Sequence, residues 1–178
     1  MPRYYGGIMI RLVTPEEADQ AAAVYSLCSR AMNEHGFYNW NEKYPSIHEA
    51  FRDAQANSLY GYYRYGELCG VVTFDQLQVR QYEDIPFSYS REESLCTHRL
   101  AVSPLHQQRG ISKELLRFGL SLTAQRGLRA LRIDCLSINP GPMHLFRTLG
   151  FRQVGEIFYP EKDPRVSKYP FYCFEKAV

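Results

Sequence analysis

The sequence lacks the two features that direct a chain into or across a membrane. No stretch stays apolar for about 18 residues, the length that a transmembrane helix requires. The start of the chain has no basic segment followed by an apolar core and a small-residue cleavage site, as an export signal would have. We therefore expect neither export nor a membrane partner.

The sequence also lacks the cysteine and histidine spacings of disulfide frameworks and zinc sites. Its 5 cysteines are odd in number and widely spaced, and no two form a Cys-x-x-Cys pair. Its 5 histidines include no His-x-x-x-His pair. We expect no bound metal, and we expect reduced thiols in the core, which are typical of a cytoplasmic protein.

A large excess of charge of one sign is missing as well. The chain has 21 Lys+Arg against 19 Asp+Glu, and this formal net charge of +2 is too small to favour nucleic acid or an anionic membrane as a partner. At 178 residues and 45% hydrophobic, the chain has the size and composition of one globular domain. We predict a single domain over residues 8–178, preceded by a short extension at residues 1–7.

What the sequence does contain is a regular alternation of strand-like and helix-like segments. Thr14 with Glu17, and Ser46 with Glu49, have the spacing of reciprocal helix caps, and Gly127 is a typical helix stop. The patterning predicts strand 8–13, helix 14–32, helix 46–54, strands 59–65 and 68–74 joined at Gly66-Glu67, strand 95–102, helix 111–127, strand 130–136, short helix 139–150, and strands 151–159 and 171–174. This order predicts a mixed α/β sheet.

The segment from His98 to Leu116 is the most informative in the chain. A strand ends there, a polar turn follows, and an amphipathic helix begins at once. The first N–H groups of a helix have no intrahelical partner and carry partial positive charge, so they form a natural anion site, and Gly110 would let a phosphate approach the backbone. From Arg99 to Arg132 the chain has 7 Lys+Arg and 1 acid, or 7 − 1 = +6, which favours a polyphosphate ligand. The alternative is that these side chains form a solvated face.

Neither of the common nucleotide-binding motifs, G-x-x-x-x-G-K-[ST] and G-x-G-x-x-G, is present in this turn. Instead, the run from Leu100 to Pro104 and the segment Gln107-Gln108-Arg109-Gly110-Ile111-Ser112 resemble the acyl-CoA signature Q/R-x-x-G-x-G/A of the GNAT superfamily of N-acetyltransferases. Ser112 departs from the final glycine or alanine. Asn139 to Phe151 is similar to the family's later segment N-x-x-A-x-x-L-Y-E-K-L-G-F, with the same spacing from Asn139 to Gly150.

The resemblance implies acetyl-CoA as co-substrate, and a GNAT fold with a mostly antiparallel central sheet flanked by helices on both faces. It also implies that the strand ending at Val102 pairs through its backbone with the pantetheine arm and that the N–H groups from Gln108 to Ser112 hold the pyrophosphate. The cofactor-binding residues that it implies are Leu100, Ala101, Val102, Gln107, Gln108, Arg109, Gly110, Ile111, Ser112, Asn139 and Phe146. It suggests a homodimer as well.

Acetyl transfer to an amine needs a neutral amine, a polarised thioester and a proton for the departing thiolate. In many relatives a tyrosine of the later segment is the acid, but the matching position here is Phe146, which has no proton to give. Tyr159 and Tyr172 are the candidate acids, unless water serves or the protein is a poor catalyst. His98 is the candidate base, because imidazole titrates near neutral pH; the alternative is a histidine bonded within the sheet.

The acceptor side is expected in the irregular segment after the hairpin. Residues 67–93 carry 6 acids and 2 bases, or 2 − 6 = −4, and would attract a cationic amine. Trp40 and Tyr82 could wall an ammonium group, and Glu93 could accept a proton through water, although loop aromatics more often anchor a loop to the core.

Three functions follow from these features. The first is an N-acetyltransferase that moves the acetyl group of acetyl-CoA directly to a primary amine of a small molecule or peptide, without a covalent enzyme intermediate. The second is a catalytically weak or inactive CoA-binding module used for sensing or partner contact, which Phe146 keeps open. The third is a nucleic-acid-binding domain that uses the +6 segment, a function that the overall composition does not favour.

Overall fold

A computed structural model describes residues 3–5 and 7–178 of the chain. The strands are β1 (Arg3–Tyr5), β2 (Ile8–Leu12), β3 (Leu59–Arg64), β4 (Glu67–Asp75), β5 (Ser94–Val102), β6 (Ala130–Leu136), β7 (Arg152–Ile157) and β8 (Phe171–Ala177). The helices are α1 (Ala18–Glu34), α2 (Ile47–Gln55), α3 (Ile111–Gln125), α4 (Pro140–Thr148) and α5 (Pro164–Ser167). Short 3-10 turns occupy Pro15–Glu17, Arg80–Asp84 and Pro104–His106.

Both predicted capping pairs are present where helices begin. Glu49 Oε2 accepts a hydrogen bond from the backbone N–H of Ser46 at 2.8 Å, and Ser46 Oγ accepts one from the N–H of His48 at 3.2 Å. Glu17 Oε2 accepts from the N–H of Thr14 at 3.0 Å, but this cap opens the 3-10 turn that precedes α1. These caps satisfy N–H groups that would otherwise lack an acceptor.

The chain divides into two compact units. The first contains the described residues up to Gly36, Trp40–Phe74 and His98–Phe118, and the second contains Phe37–Asn39, Asp75–Thr97 and Gly119–Val178. Strand β5 therefore contributes its first half to the second unit and its second half to the first.

In the first unit the strand order is β1-β2-β3-β4 followed by the second half of β5. Each pairing from β1 to β4 is antiparallel. The core of this unit joins α1 and α2 to the sheet through side chains that are almost fully buried, among them Ala21, Tyr25, Ala50, Leu59 and Val71. Within the described residues, no helix has both the length and the apolar character that crossing a bilayer requires.

In the second unit the order is the first half of β5, then β6, β8 and β7. The pairing of β5 with β6 is parallel, and those of β6 with β8 and β7 with β8 are antiparallel. A second core lies here, and its buried residues include Cys96, Leu136, Val166, Cys173, Tyr82 and Tyr159.

The hairpin turn lies one residue earlier than the sequence predicts. Arg64 pairs with Glu67, so the two turn residues are Tyr65 and Gly66, with φ of 50° and 84°. Positive φ at both central positions is the type I′ geometry that matches the twist of the flanking strands. The pairing of Arg3–Tyr5 with Ile8–Ile10 was not predicted from the sequence either.

Candidate functional site

The turn between β5 and α3 has the geometry expected of a backbone anion site. Gln108 and Gly110 adopt φ of 62° and 79°, and residues 107–110 are exposed. No heavy atom lies within 4 Å of the point where a side chain at Gly110 would begin, so the backbone there is open to a ligand. A positive φ together with open space is a position that favours glycine.

Helix α3 presents its N-terminus at this turn and is anchored by its apolar face. Ile111 is 3% exposed, and Leu115 and Leu116 are fully buried. The first N–H groups of the helix have no intrahelical acceptor, and the helix dipole places partial positive charge beside Gly110. A helix N-terminus that follows an open, glycine-containing turn is a typical place for a phosphate to bind.

The end of β5 is fastened to its neighbours in the first unit. The N–H of Ser103 donates to the carbonyl of Cys69 at 2.9 Å. The carbonyl of Val102 accepts from the Cys28 thiol at 3.1 Å and from Gln107 Nε2 at 3.3 Å. A side chain at Gly70 would begin 3.0 Å from the carbonyl oxygen of Ala101, so glycine permits this close approach. A pantetheine arm pairing here would have to share or replace the bonds on the Val102 carbonyl.

Arg99, in the middle of β5, has a left-handed backbone and a buried ion pair. Its φ is 51°, a strained value for a non-glycine residue that persists only where the surroundings enforce it. Its Nε and Nη2 donate to Asp53 Oδ2 at 3.0 and 2.5 Å, and Thr73 Oγ1 donates to the same oxygen at 2.7 Å. The side chains of Arg99 and Asp53 are 10% and 4% exposed. Beside this fixed residue lies the candidate base His98, which is half-buried.

In the second unit, two of the tyrosines singled out by the sequence meet on one carboxylate. The hydroxyls of Tyr82 and Tyr159 donate to Asp134 Oδ2 at 2.8 and 2.9 Å. Tyr82 and Tyr159 are 8% and 9% exposed. Burial, and then the Asp134 carboxylate, raise the pKa of Tyr82 well above its ordinary value. The Tyr82 phenol therefore stays a protonated donor at neutral pH. Asp134, which accepts from both tyrosines, is the residue that sequence reasoning missed.

Lys162 lies against the same tyrosine. Its ammonium is 5.2 Å from the ring centroid of Tyr159 and 5.6 Å from that of Phe171, and it donates to the carbonyl of Asn39 at 3.3 Å. Burial lowers the pKa of Lys162 while the Asp134 carboxylate opposes that shift, and the net shift is downward. We call Asp134, Tyr82, Tyr159 and Lys162 the Asp134 cluster.

The other predicted site residues have structural contacts of their own. Trp40 packs edge-on against Tyr25 in the first unit, with ring centroids 5.8 Å apart. Glu93 pairs with Arg129 at 2.9 Å. Phe146 is 2% exposed, and its ring centroid lies 5.3 Å from that of Phe174.

Asn139 and Tyr172 were also predicted as site residues. Asn139 caps α4 by accepting from the N–H of Gly141 at 3.3 Å. Tyr172 lies on β8 opposite Cys135 of β6, and its side chain is half-buried. Neither contact tests the predicted roles, which stay predictions.

The local charge excess is smaller in the folded chain than in the sequence. Of the seven basic residues counted from Arg99 to Arg132, at least three are in ion pairs with carboxylates: Arg99 with Asp53, Arg129 with Glu93, and Arg132 with Glu175. These pairs weaken the argument from net charge, and they leave the backbone geometry of the turn as the stronger support for an anion ligand.

One group of side chains offers metal-type donors. Glu67, Cys69 and His106 place their donor atoms within 4.8 Å of one another, and His106 Nε2 lies 2.9 Å from Glu67 Oε1. Burial, followed by the nearby Glu67 carboxylate, raises the pKa of the Cys69 thiol, which opposes the thiolate form that binds metals. The expectation that the chain binds no metal stays a prediction.

Comparison with protein families gives one match that covers most of the chain. The model described as the acetyltransferase (GNAT) family matches residues 21–151, which include the turn at Gly110 and the segment after Asn139. The human protein N-acetyltransferase 8B is 32% identical over 69 residues, which are 39% of this chain and 30% of that protein. This chain therefore spans under a third of that relative.

Solved structures share the fold over almost the full length. An acetyltransferase of the GNAT family from Streptococcus agalactiae superposes with a TM-score of 0.81 at 20% identity, covering 98% of each chain. The yncA protein of Salmonella typhimurium, solved with its cofactor acetyl-CoA, gives a TM-score of 0.71 at 15% identity, and the match covers 97% of this chain and 94% of that one. At these identities the likeness is one of fold, and it confirms the predicted mixed α/β sheet.

Proposed function

Because the chain belongs to the GNAT family of acetyltransferases, we propose that it transfers the acetyl group of acetyl-CoA to a primary amine of a small molecule or peptide. One observation carries the proposal: the family match includes a turn whose backbone is shaped for an anion, with Gly110 at φ 79° and open space beside it. The location of the protein in the cytoplasm and its assembly as a homodimer stay predictions.

The residues of the turn fit the cofactor on physical grounds. The N–H groups from Gln108 to Ser112 lead into the N-terminus of α3, where a pyrophosphate would be stabilised by hydrogen bonds and by the helix dipole. Asn139 and Phe146 enter the proposal only through the family's motif. When bound, acetyl-CoA supplies an activated thioester, and the chain itself then needs no nucleophile.

The thiols of the chain support a mechanism without an acyl-enzyme intermediate. All five cysteines are buried, and burial raises the pKa of Cys28 and of Cys96 to about 12. A thiol in that state is a poor nucleophile at neutral pH. Proton transfer then rests on His98 as the candidate base. Tyr159 and Tyr172 are the candidate acids, and the hydroxyl proton of Tyr159 is held by Asp134.

A CoA-binding module with little turnover is the second candidate, and Phe146 favours it. The family's tyrosine position is here a ring that is 2% exposed and packed against Phe151 and Phe174. A phenyl ring cannot protonate a thiolate. The two candidates share the cofactor and differ in whether CoA is released.

The first test is calorimetric titration of the intact chain with acetyl-CoA, with ATP and NAD as controls at the same salt concentration. We expect selective binding of acetyl-CoA that Ser112→Glu weakens at least tenfold, because the new carboxylate repels pyrophosphate at the helix N-terminus. The neutral variant Ser112→Gln has the same size and serves as the control. No binding by folded protein, or equal weakening by both variants, would overturn the placement.

The second test follows CoA release with a panel of primary amines. Release that depends on the amine supports the transferase. Absence of release, with intact acetyl-CoA binding, supports the CoA-binding module.

Replacing His98 with Gln should lower kcat more than it changes acetyl-CoA affinity. An unchanged kcat would remove His98 from the mechanism.

A further inference from the structure

In the Asp134 cluster, hydrogen bonds from two tyrosines hold a carboxylate that could bind a cation. Two phenol hydroxyls donate to its Oδ2, at 2.8 Å from Tyr82 and 2.9 Å from Tyr159. Asp134 itself is only half-buried, whereas the two tyrosines are almost fully buried. The carboxylate therefore lies among largely buried aromatic rings, where the attraction between opposite charges is stronger than in water.

The chain places one of its own alkylammonium groups in this cluster. The Lys162 ammonium lies 5.2 and 5.6 Å from the ring centroids of Tyr159 and Phe171, within the range of cation–π attraction. Lys162 belongs to the segment between β7 and α5, in which the neighbouring Phe158 and Glu161 are exposed. A surface segment of this kind can release its side chain to water more readily than a strand or helix can.

A nearby acceptor atom lacks a donor. Within the part of the chain that the structure describes, Asn39 Oδ1 is buried and accepts no hydrogen bond, while the backbone carbonyl of the same residue accepts from Lys162. An ammonium carries three N–H donors, so a ligand amine could satisfy more than one acceptor at this place. A buried acceptor without a donor costs free energy that such a ligand would recover.

We propose that the Asp134 cluster is a binding site for an unbranched primary alkylammonium, in the place that the Lys162 side chain takes in this structure. The assignment of that ligand as the acetyl acceptor rests on the proposed function. The flanking rings of Tyr159 and Phe171 select an alkyl chain, the carboxylate selects a cation, and the acceptors on Asn39 select N–H donors over a quaternary ammonium.

The test is calorimetric titration of the intact chain, without acetyl-CoA, using n-butylammonium chloride and the neutral 1-pentanol as probes. We expect n-butylammonium to bind at least tenfold more tightly than 1-pentanol, because only the cation gains from Asp134. This comparison needs no variant, so it decides the question even if a substitution prevents folding. Equal affinities, or no binding of n-butylammonium, would overturn the proposal.

Two variants should move the affinity in opposite directions. Asp134→Asn should weaken n-butylammonium binding at least tenfold, and Lys162→Met should strengthen it about threefold or more, because the competing ammonium is gone. If the cluster only stabilised the fold, Asp134→Asn and Lys162→Met would both weaken n-butylammonium binding. The matched control Asp19→Asn removes an exposed carboxylate from α1 and should change nothing. Weaker binding in Lys162→Met, or unchanged binding in Asp134→Asn, would contradict the proposal.

Failure of this proposal and failure of the proposed function give different results. A chain that binds n-butylammonium but releases no CoA with any amine would refute the transferase and leave the ammonium site in place. A chain that releases CoA with amines, and whose Asp134→Asn variant has wild-type KM and kcat, would refute the ammonium site and leave the transferase in place.

Discussion

Each of the two units contains an arginine whose side chain is largely buried, and the two are held differently. In the first unit, the Arg99 side chain is 10% exposed and its Nη2 lies 2.5 Å from Asp53 Oδ2. In the second unit, Arg132 is 3% exposed and its Nε lies 3.4 Å from Glu175 Oε1. The burial is similar, but the shorter distance makes the carboxylate the main partner only in the first unit.

Neutral groups hold most of the Arg132 guanidinium. It donates to Gln78 Oε1 at 2.7 Å and to the carbonyls of Tyr89 and Ser90, and it stacks on Phe87 at 3.8 Å from the ring centroid. All of these partners lie in the irregular segment between β4 and β5. Arg99, whose own backbone is strained, therefore neutralises the buried Asp53 carboxylate. Arg132 instead holds the segment between β4 and β5 in place.

The largest effect is expected for Asp53→Ala. This change leaves the Arg99 guanidinium buried without its carboxylate, and breaking a buried pair from one side costs about 3–5 kcal/mol of unfolding free energy. Urea denaturation measures the change. The control is Asp53→Ala combined with Arg99→Met, which removes both charges and should recover much of the loss. A double variant as unstable as the single one would show that the charge is not the cause.

A smaller loss, about 2–3 kcal/mol, is expected for Arg132→Met. Methionine keeps an apolar chain in the site but donates no hydrogen bonds, so Glu175 is left buried and the loop loses its attachment. Hydrogen exchange should become faster at the N–H of Ser88, which donates to Glu175 Oε2 at 2.8 Å. Unchanged exchange there would contradict the role of Arg132 in fixing the loop.

A half-exposed pair in the first unit tests whether exposure to water reduces the contribution of an ion pair to the free energy of unfolding. Arg11 donates to both oxygens of Glu17 at 2.7 and 2.6 Å, and this bond is the main reason that the pKa of Glu17 falls to about 2. We expect Glu17→Gln to cost about 1–2 kcal/mol at pH 7. Because the folded pKa is below the ordinary value of 4.5, the contribution is fully present above that pH and is lost as the pH falls toward 2.

The measurement is the urea midpoint of wild type and Glu17→Gln between pH 7 and pH 2. The gap between the two should be constant down to about pH 5 and should close at lower pH. A gap that stays open at pH 2 would mean that the substituted side chain disturbs packing rather than charge.

The smallest effect is expected at an exposed pair in the second unit. Arg165 Nη2 lies 2.7 Å from Asp163 Oδ2, but 60% of the Arg165 side chain is exposed, and water and salt screen such pairs. Arg165→Gln should leave the urea midpoint unchanged within error at physiological salt. A clear loss would contradict the expectation that an exposed ion pair contributes less to stability than a buried one.

The elements were predictable where local chemistry decides them. Strand β6 has the predicted bounds of Ala130 and Leu136, and α2 begins where Ser46 and Glu49 place it. The hairpin turn was misplaced because Tyr65 occupies a left-handed position that usually takes glycine or asparagine. Helix α5 and strand β1 were too short for their periodicity to be visible.

The two candidate sites also differed in how far the sequence could predict them. The turn at Gly110 could be found because its residues are contiguous and resemble a family signature, and the family match confirms that resemblance. Asp134 lies inside an apolar strand run, and its partners Tyr82 and Tyr159 are 52 and 25 residues away in sequence. Contacts at that separation are decided by the packing of the whole unit, which no local pattern records.

The reaction of the buried thiols with a labelling reagent reports how often each unit unfolds locally. Cys28 and Cys69 belong to the first unit, and Cys96, Cys135 and Cys173 belong to the second. Burial raises the pKa of every one of them, to about 12 for Cys135, so a thiol reagent reacts only after local unfolding exposes the sulfur. The labelling rate of each cysteine, measured by mass spectrometry, therefore reports the rate or the extent of local unfolding in the unit that contains it.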